Sequence, residues 1–144
     1  MITNRFIETK DHPLLATSLE EDEFHQGTGL EFFLEEGTVC SVYEDENGPI
    51  LFVRGKPIIH ENIVMIQLDI QYLNNKDGKR NMRAMVEGFP ELIEKAKENG
   101  FTGFFFVSNV PLLRKFCVKR LGFEEYGDEL LVKLLLDETP KDIV

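Results

Sequence analysis

The middle of the chain carries a strand–helix–strand pattern that restricts the possible folds more than any other feature. Residues 63–70, IVMIQLDI, predict a strand. Apolar side chains then recur at helical spacing over residues 80–98, and the run FTGFFFV at 101–107 predicts a strand buried on both faces. Two strands joined by such a helix are expected to be parallel, with a right-handed crossover. The pattern therefore predicts a mixed sheet with a parallel pair at its centre.

The part of the chain before this unit predicts one short strand, two helices and a hairpin. The strand covers 5–8, and Asp11 is expected to cap the first helix. A capping-box spacing predicts the second helix over 28–37. Alternating apolar runs lie on either side of Asn47-Gly48, a dipeptide that favours a two-residue hairpin turn with φ > 0 at both positions.

The part after the parallel pair predicts one more helix and a terminal antiparallel pair of strands. Asn109 is expected to cap a helix over 112–121, and Gly127-Asp128 separates the two strands. Within the preceding helix, Pro90 is expected to cause a kink or a break because it lacks a backbone N–H.

Length and composition predict one domain over residues 1–144, with 42% apolar and 29% charged residues. No apolar run approaches the roughly 20 residues that span a bilayer, and the N-terminal segment lacks an apolar signal core, so no membrane partner and a cytoplasmic location are expected.

Cys40 and Cys117 are expected to be buried thiols. The three histidines show no metal-ligand spacing, so no metal site is expected.

The net charge of −10 is unevenly distributed along the chain. Residues 1–61 hold 13 acidic and 4 basic side chains, whereas residues 62–144 hold 13 acidic and 12 basic ones. Eight of the sixteen basic residues lie in two windows, 76–83 and 114–120. So acidic a chain lacks the broad basic surface that nucleic-acid binding needs. The two windows leave open either a small-anion site or ordinary solvated helix faces.

Two local motifs accompany this order of elements. The segment SNVPLLRKFCVKRLGFEE, 108–125, combines a strand end, an asparagine, a helix and a closing Leu-Gly-Phe, and the stretch GKRNMRAM, 78–85, opens the predicted central helix. Both motifs and the order of elements resemble the GNAT superfamily of acyl-CoA-dependent N-acyltransferases. The second motif is similar to the family's pyrophosphate-binding loop, with Arg80 and Met82 where two glycines usually stand. The resemblance covers nearly the whole chain. It implies a mostly antiparallel α/β sheet with a central parallel pair and helices on both faces.

The resemblance also implies an acetyl-CoA or other acyl-CoA cofactor, whose pyrophosphate would lie at a helix N-terminus. A side chain at a glycine position obstructs the approach of phosphate to the backbone, whereas an arginine can bind phosphate through its own guanidinium. The residues expected to contact the cofactor are Ile70, Lys79, Arg80, Asn81, Met82, Arg83 and Asn109.

For catalysis, the resemblance implies a base on the fourth strand that accepts a proton from a primary amine. Asp69 matches this position, and Gln67 shares its face of the strand. The family's thiolate acid is commonly a tyrosine on the last helix, but Val118 stands at that position. Tyr72, Tyr126 and Ser108 are the remaining candidates.

Two alternatives to an N-acetyltransferase-like enzyme remain at this stage. The first is a non-catalytic GNAT-fold module that has lost CoA binding, since both the loop glycines and the helical tyrosine are absent. The second is an unrelated small α/β protein. The acceptor of an enzyme would be a small-molecule or peptide amine, and exposed strand edges are compatible with a homodimer.

Overall fold

The computed structural model describes residues 1–22, 27–60, 63–74, 76–108 and 110–135. Its strands are β1 (Thr3–Phe6), β2 (Val39–Asp45), β3 (Gly48–His60), β4 (Ile63–Tyr72), β5 (Gly103–Val107), β6 (Glu124–Tyr126) and β7 (Leu130–Leu134). Its helices are α1 (His12–Glu21), α2 (Leu30–Phe33), α3 (Gly78–Glu98) and α4 (Pro111–Leu121), and a 3-10 turn (Thr9–Asp11) precedes α1.

The seven strands follow the order β1-β2-β3-β4-β5-β7-β6. The pairs β1–β2, β2–β3, β5–β7 and β6–β7 are antiparallel. The pair β4–β5, which α3 connects, is parallel. The predicted fold class, a mostly antiparallel mixed sheet with one parallel β–α–β pair, is therefore confirmed.

The chain divides into two compact units, and each unit combines separate stretches of sequence. The first unit comprises Met1–Lys56 and Asp69–Gly88. In its core, α1 and α2 pack on β2 and β3 through apolar side chains that exclude water. These side chains are Leu15, Leu19, Phe33, Cys40, Val42 and Phe52.

The second unit comprises Pro57–Leu68 and the residues from Phe89 onward. Four phenylalanine rings pack together in its core, with centroid separations between 5.2 and 5.7 Å for the pairs Phe89–Phe104, Phe89–Phe123 and Phe106–Phe123. Phe104 is fully buried, as predicted for the central strand. The parallel register in this unit joins Met65–Gln67 to residues 103–105.

The β2–β3 hairpin forms as predicted, but its turn is displaced by one residue. Asp45 pairs with Gly48, so Glu46 and Asn47 form the turn and Gly48, at φ +108°, begins β3. The prediction that Asn47 and Gly48 are the two central turn residues is therefore wrong. The Asp45 carboxylate explains the shift, because its Oδ1 accepts a hydrogen bond from the Asn47 N–H at 2.8 Å and closes an Asx turn.

Three helix boundaries also differ from the prediction. Helix α2 has four residues instead of the predicted 28–37, and it begins after Gly29 without a side-chain cap. Helix α3 begins at Gly78 and continues through Pro90, so the proline does not divide it. Helix α4 begins after Val110 and ends at Gly122 in the left-handed region, as predicted for its last turn. The predicted cap, Asn109, lies outside the described residues.

Asp11 precedes α1 as predicted, but its carboxylate forms no cap for that helix. It accepts hydrogen bonds from the Glu8 N–H and from both Nη atoms of Arg5. The ion pair with Arg5 holds the pKa of Asp11 below its ordinary value. Among the helices of the described ranges, none combines the length and apolar character that a membrane crossing requires.

Candidate functional site

Asp69 lies on β4, and its side chain is about a quarter exposed (25%). Its Oδ2 accepts a hydrogen bond at 3.1 Å from Nη1 of Arg54, which comes from β3. The bond from Arg54 fixes the orientation of this partly exposed carboxylate, which suits a group that accepts a proton. Asp69 stays a prediction as a catalytic base, and its surroundings are compatible with that role.

Arg54 is a functional candidate that the sequence analysis missed. Its side chain is 1% exposed, although it carries a full charge. Its Nε donates to the Phe32 carbonyl at 2.8 Å, and its Nη2 donates to Glu35 Oε2 at 2.8 Å. The guanidinium carbon also lies 3.9 Å from the centroid of the Phe32 ring. These contacts compensate the burial of a cation, which is costly without partners.

The burial of Arg54 has only a weak sequence signal, because residues 50–53 are all apolar and show no alternation. In the structure Ile50, Phe52 and Arg54 lie at every second position of β3 and are all buried. An arginine in phase with buried apolar residues requires a buried carboxylate or carbonyl partner. The partners themselves lie 15 to 22 residues away in sequence, at Asp69, Glu35 and Phe32.

Glu35 extends this group of charges. Its Oε1 accepts a hydrogen bond from Lys56 Nζ at 2.9 Å, while Oε2 accepts the bond from Arg54. Lys56, followed by Arg54, holds the pKa of Glu35 below its ordinary value. We call Arg54, Lys56, Glu35 and Asp69 the Arg54 cluster; it holds two cationic and two acidic side chains.

The polar face of β4 extends beyond its predicted end. Gln67 lies opposite Phe105 in the second unit and is partly buried. Gln71, two residues after Asp69, is fully buried in the first unit. Its Nε2 donates to the Ser18 carbonyl and to Asp22 Oδ2, each at 3.2 Å. Its Oε1 is buried without a hydrogen-bond partner among the described residues. The sequence analysis ended the strand at residue 70 and so missed Gln71.

Arg80, the residue proposed to replace a phosphate-binding glycine, is bonded to the β2–β3 hairpin. Its Nε donates to Asp45 Oδ2 at 2.9 Å, and its Nη2 donates to Asp45 Oδ1 at 2.7 Å and to the Gly48 carbonyl at 2.9 Å. The Asp45 side chain is only 4% exposed. The guanidinium holds the pKa of Asp45 well below its ordinary value. A phosphate at Arg80 would have to compete with this bidentate pair.

The other residues expected at the cofactor are placed as follows. Asn81 is buried, and its Nδ2 donates to the Asn74 carbonyl at 2.9 Å, so it holds the preceding loop. Arg83 donates to Glu87 one turn further along α3. Lys79 and Met82 are exposed, and Ile70 is partly buried on β4. Asn109 lies outside the described residues.

The candidate proton donors are engaged elsewhere. The Tyr72 hydroxyl lies 2.8 Å from Met85 Sδ, and the Tyr126 hydroxyl donates to Glu124 at 3.3 Å. Ser108 Oγ accepts a hydrogen bond from the Val110 N–H. Helix α4, which is described in full, contains no tyrosine.

Both cysteines are buried thiols, as predicted. Burial raises the pKa of Cys40 to about 12 and that of Cys117 to about 12. A thiol with so high a pKa contributes almost no thiolate at neutral pH, so neither residue is suited to be a nucleophile.

The second basic window forms one wall of an open pocket of about 450 Å³ in the second unit. Arg114 is buried there and donates to the carbonyls of Ser108 and Gly127. Lys115 and Lys119 line the pocket together with Glu125 and Asp128. Because basic and acidic side chains are mixed in its lining, the pocket shows no preference for an anion.

Within the described ranges, no group of three or more His, Cys, Asp or Glu side chains is arranged to hold a metal ion.

Comparisons with known proteins support the fold. No protein-family model matches the chain. No curated protein matches it by sequence. Many solved structures match over nearly the whole chain. An acetyltransferase of the GNAT family from Staphylococcus aureus Mu50 aligns with a TM-score of 0.70 and 12% identity, over 94% of this chain and 99% of its own.

Two aminoglycoside acetyltransferases align equally well. The N(6')-acetyltransferase of Legionella pneumophila has a TM-score of 0.71 and 14% identity, over 97% of this chain and 95% of its own. The enzyme AAC(6')-Ib, solved in complex with coenzyme A and kanamycin, has a TM-score of 0.71 and 15% identity, with full coverage of both chains. The chain therefore has the GNAT fold. At these identities the likeness concerns the fold alone.

Proposed function

We propose that the protein is an N-acyltransferase that transfers an acyl group, with acetyl as the first candidate, from acyl-CoA to a primary amine. The observation that carries the proposal is the alignment of nearly the whole chain with acetyltransferases, one of which is in complex with coenzyme A and kanamycin. Asp69 supplies a partly exposed carboxylate on β4, where the sequence motif predicted a base.

In the proposed reaction the amine nitrogen attacks the thioester carbonyl, a C–N bond forms and the C–S bond breaks. Asp69 accepts the proton that the amine loses, directly or through one water molecule. Gln67 is proposed to orient the amine or that water from the same strand. The sulfur leaves as a thiolate. Because an ordinary thiol has a pKa of about 8.5, the thiolate can take its proton from solvent, and a tyrosine on α4 is not required.

Lys79 and Arg83 are the proposed phosphate ligands on the first turns of α3. Lys79 is exposed, and within the described residues Arg83 bonds to Glu87 in a surface pair whose side chains are 42% and 45% exposed. Such an exposed pair is weak, so a phosphate can replace it. Ile70, Asn81, Met82 and Asn109 stay predictions as further cofactor contacts.

A second candidate function is a non-catalytic module with the GNAT fold. The pairing of Arg80 with Asp45 and the Gly48 carbonyl favours it, because the one arginine at a glycine position is already bound within the protein. The absence of tyrosine from α4 is in agreement with this candidate. It predicts that the protein does not bind acyl-CoA.

The deciding experiment is acetyl-CoA binding by isothermal titration calorimetry at low and moderate salt. We expect micromolar binding that weakens as salt screens the phosphate contacts. Lys79→Ala should weaken binding about two- to fivefold, the range of one exposed charge contact. Lys95→Ala, near the other end of α3, is the matched control and should leave binding unchanged.

Arg80 needs a paired design, because removing it alone leaves the buried Asp45 carboxylate without its partner. Asp45→Asn should therefore be compared with the double variant Asp45→Asn/Arg80→Met. If Arg80 contacts phosphate, the double variant binds acetyl-CoA more weakly than the single one. If wild-type protein shows no binding at millimolar acetyl-CoA, the enzyme proposal fails and the non-catalytic module is favoured.

Given cofactor binding, transfer is tested with a panel of amines: kanamycin, spermidine and a lysine-containing peptide. Release of free thiol reports the reaction, and the Asp69→Asn variant should lose most of the transfer activity.

The single-domain organisation, the cytoplasmic location and the homodimer also stay proposals. Light scattering tests the last of these.

A further inference from the structure

One buried guanidinium joins the proposed catalytic base to the segment around α2. Arg54 bonds to Asp69 on β4, to the Phe32 carbonyl in α2 and to Glu35 just after α2. All of these residues belong to the first unit. The guanidinium is planar, and its N–H groups are fixed in direction, so its three bonds fix β4 and the segment around α2 relative to each other.

Helix α2 depends on such contacts more than a longer helix would. It has four residues, and no side chain caps its first turn. A single helical turn is not stable by itself, because nucleation costs more than its few hydrogen bonds return. Its apolar side chain Phe33 is fully buried, which fixes one face of the turn. The bond from Arg54 to the Phe32 carbonyl joins the turn to β3.

We propose, on the basis of the proposed function, that Arg54 is a positioning residue for amine transfer. It holds the Asp69 carboxylate in the orientation that accepts the amine proton. The same guanidinium bonds to the Phe32 carbonyl and to Glu35, so it fixes the segment around α2 relative to the Asp69 carboxylate.

This role differs from simple compensation of a buried charge. Compensation requires only that Arg54 and Asp69 neutralise each other, and its loss would lower stability and every activity in parallel. Positioning requires the geometry of the guanidinium, so a lysine at position 54 keeps the positive charge but loses the fixed arrangement of several N–H donors. Displacement of a reacting group by about 1 Å can cost about 100-fold in rate. Binding of acyl-CoA would not depend on that geometry.

The test uses the full chain with Arg54→Lys, and Arg5→Lys serves as a matched control. Arg5 also lies in the first unit and forms a bidentate pair with a buried carboxylate, Asp11, away from Asp69. We expect Arg54→Lys to lower kcat/KM for the amine by about 10- to 100-fold, with a fall in kcat and a rise in KM for the amine. The Kd for acetyl-CoA should stay within about twofold, because Arg54 is not among the residues proposed to contact the cofactor. Arg5→Lys should leave all three quantities unchanged.

A double-mutant cycle separates positioning from stability. In the Asp69→Asn background, Arg54→Lys should change kcat by less than about threefold, because the group that it positions no longer acts as a base. Equal effects of Arg54→Lys in both backgrounds would overturn the inference. A loss of acetyl-CoA binding in Arg54→Lys, or equal losses in Arg54→Lys and Arg5→Lys, would also overturn it.

The outcomes distinguish this inference from the proposed function. If wild-type protein transfers no acyl group to any amine of the panel, both are refuted. If wild-type protein is active and Asp69→Asn retains its rate, the transferase proposal stands, while the assignment of the base and the role of Arg54 are refuted. If Asp69→Asn loses the rate and Arg54→Lys keeps it, only the role of Arg54 is refuted.

Discussion

The sharpest structural prediction concerns Gly88, in the middle of α3. An added Cβ at this position would overlap two ring carbons of Tyr43, which lies on β2 and is 3% exposed. Gly88 therefore permits α3 to approach the sheet as closely as it does in the first unit. The ring cannot turn outward to make room, because it is enclosed by the core. We expect Gly88→Ala to destabilise the protein, although alanine is the better helix former.

Two opposing terms set the size of this effect. The higher helix propensity of alanine would stabilise the variant by about 1 kcal/mol. Overpacking of a well-packed core costs about 1 to 3 kcal/mol. Since the overlap involves two atoms of a rigid, buried ring, we use the upper end of that range. The expected net loss is about 2 kcal/mol, which corresponds to a fall in Tm of about 4 to 8 °C at this chain length.

Urea unfolding followed by circular dichroism measures this difference. Gly78→Ala in the same helix is the control, because an added Cβ there meets no atom within 4 Å. Its free energy of unfolding should change by less than about 0.5 kcal/mol. A second variant, Tyr43→Leu, should reduce the cost of Gly88→Ala, since it removes the ring carbons that the new methyl group meets. If Gly88→Ala is as stable as the wild type, the close approach of α3 to Tyr43 is refuted.

Three further predictions concern charge, thiols and packing. The Arg80 guanidinium lowers the pKa of Asp45 below its ordinary 3.8, so the stability that this pair contributes is present above that pH and is lost as the pH falls through the lowered value. The Tm difference between wild type and Asp45→Asn should therefore shrink below about pH 4, and a difference independent of pH would contradict the pairing. Burial raises the pKa values of Cys40 and Cys117 to about 12, so an aromatic disulfide reagent at pH 8 should label both thiols only after denaturation. Rapid labelling of the native protein would show that one of the thiols is accessible. Phe104→Ala should lower the free energy of unfolding by about 3 to 5 kcal/mol, measured by urea unfolding, and a loss below 1 kcal/mol would show that Phe104 is not fully enclosed.

Local patterns in the sequence were sufficient for the order of elements. The helical spacing over 80–98 and the apolar run over 101–107 predicted α3 and β5, and their order implied a parallel pair with β4. Each of these patterns repeats over several residues, so a single exception such as Pro90 does not cancel it. Where a short local motif alone carried the prediction, the result was less reliable. The displaced hairpin turn and the short α2 are such cases.

The candidate site was predicted less completely. The position of Asp69 on β4 followed from the alternation of polar side chains, and its proposed role came from the family resemblance. Its partner Arg54 was not predicted, because the apolar run at residues 50–53 shows no alternation that would assign Arg54 to a buried face. The basic window around Arg80 suggested a free cationic surface, whereas Arg80 is bonded to Asp45.

The sequence by itself determined the types and order of the elements, because periodicity along a chain decides which faces of helices and strands are apolar. Only the tertiary structure decided how the charges are paired. Arg54 meets Asp69 across 15 residues, and Arg80 meets Asp45 across 35. A charged side chain has no preference for a partner at a particular distance in sequence. Its partner is the opposite charge that folding brings within about 3 Å, where loss of hydration makes pairing necessary.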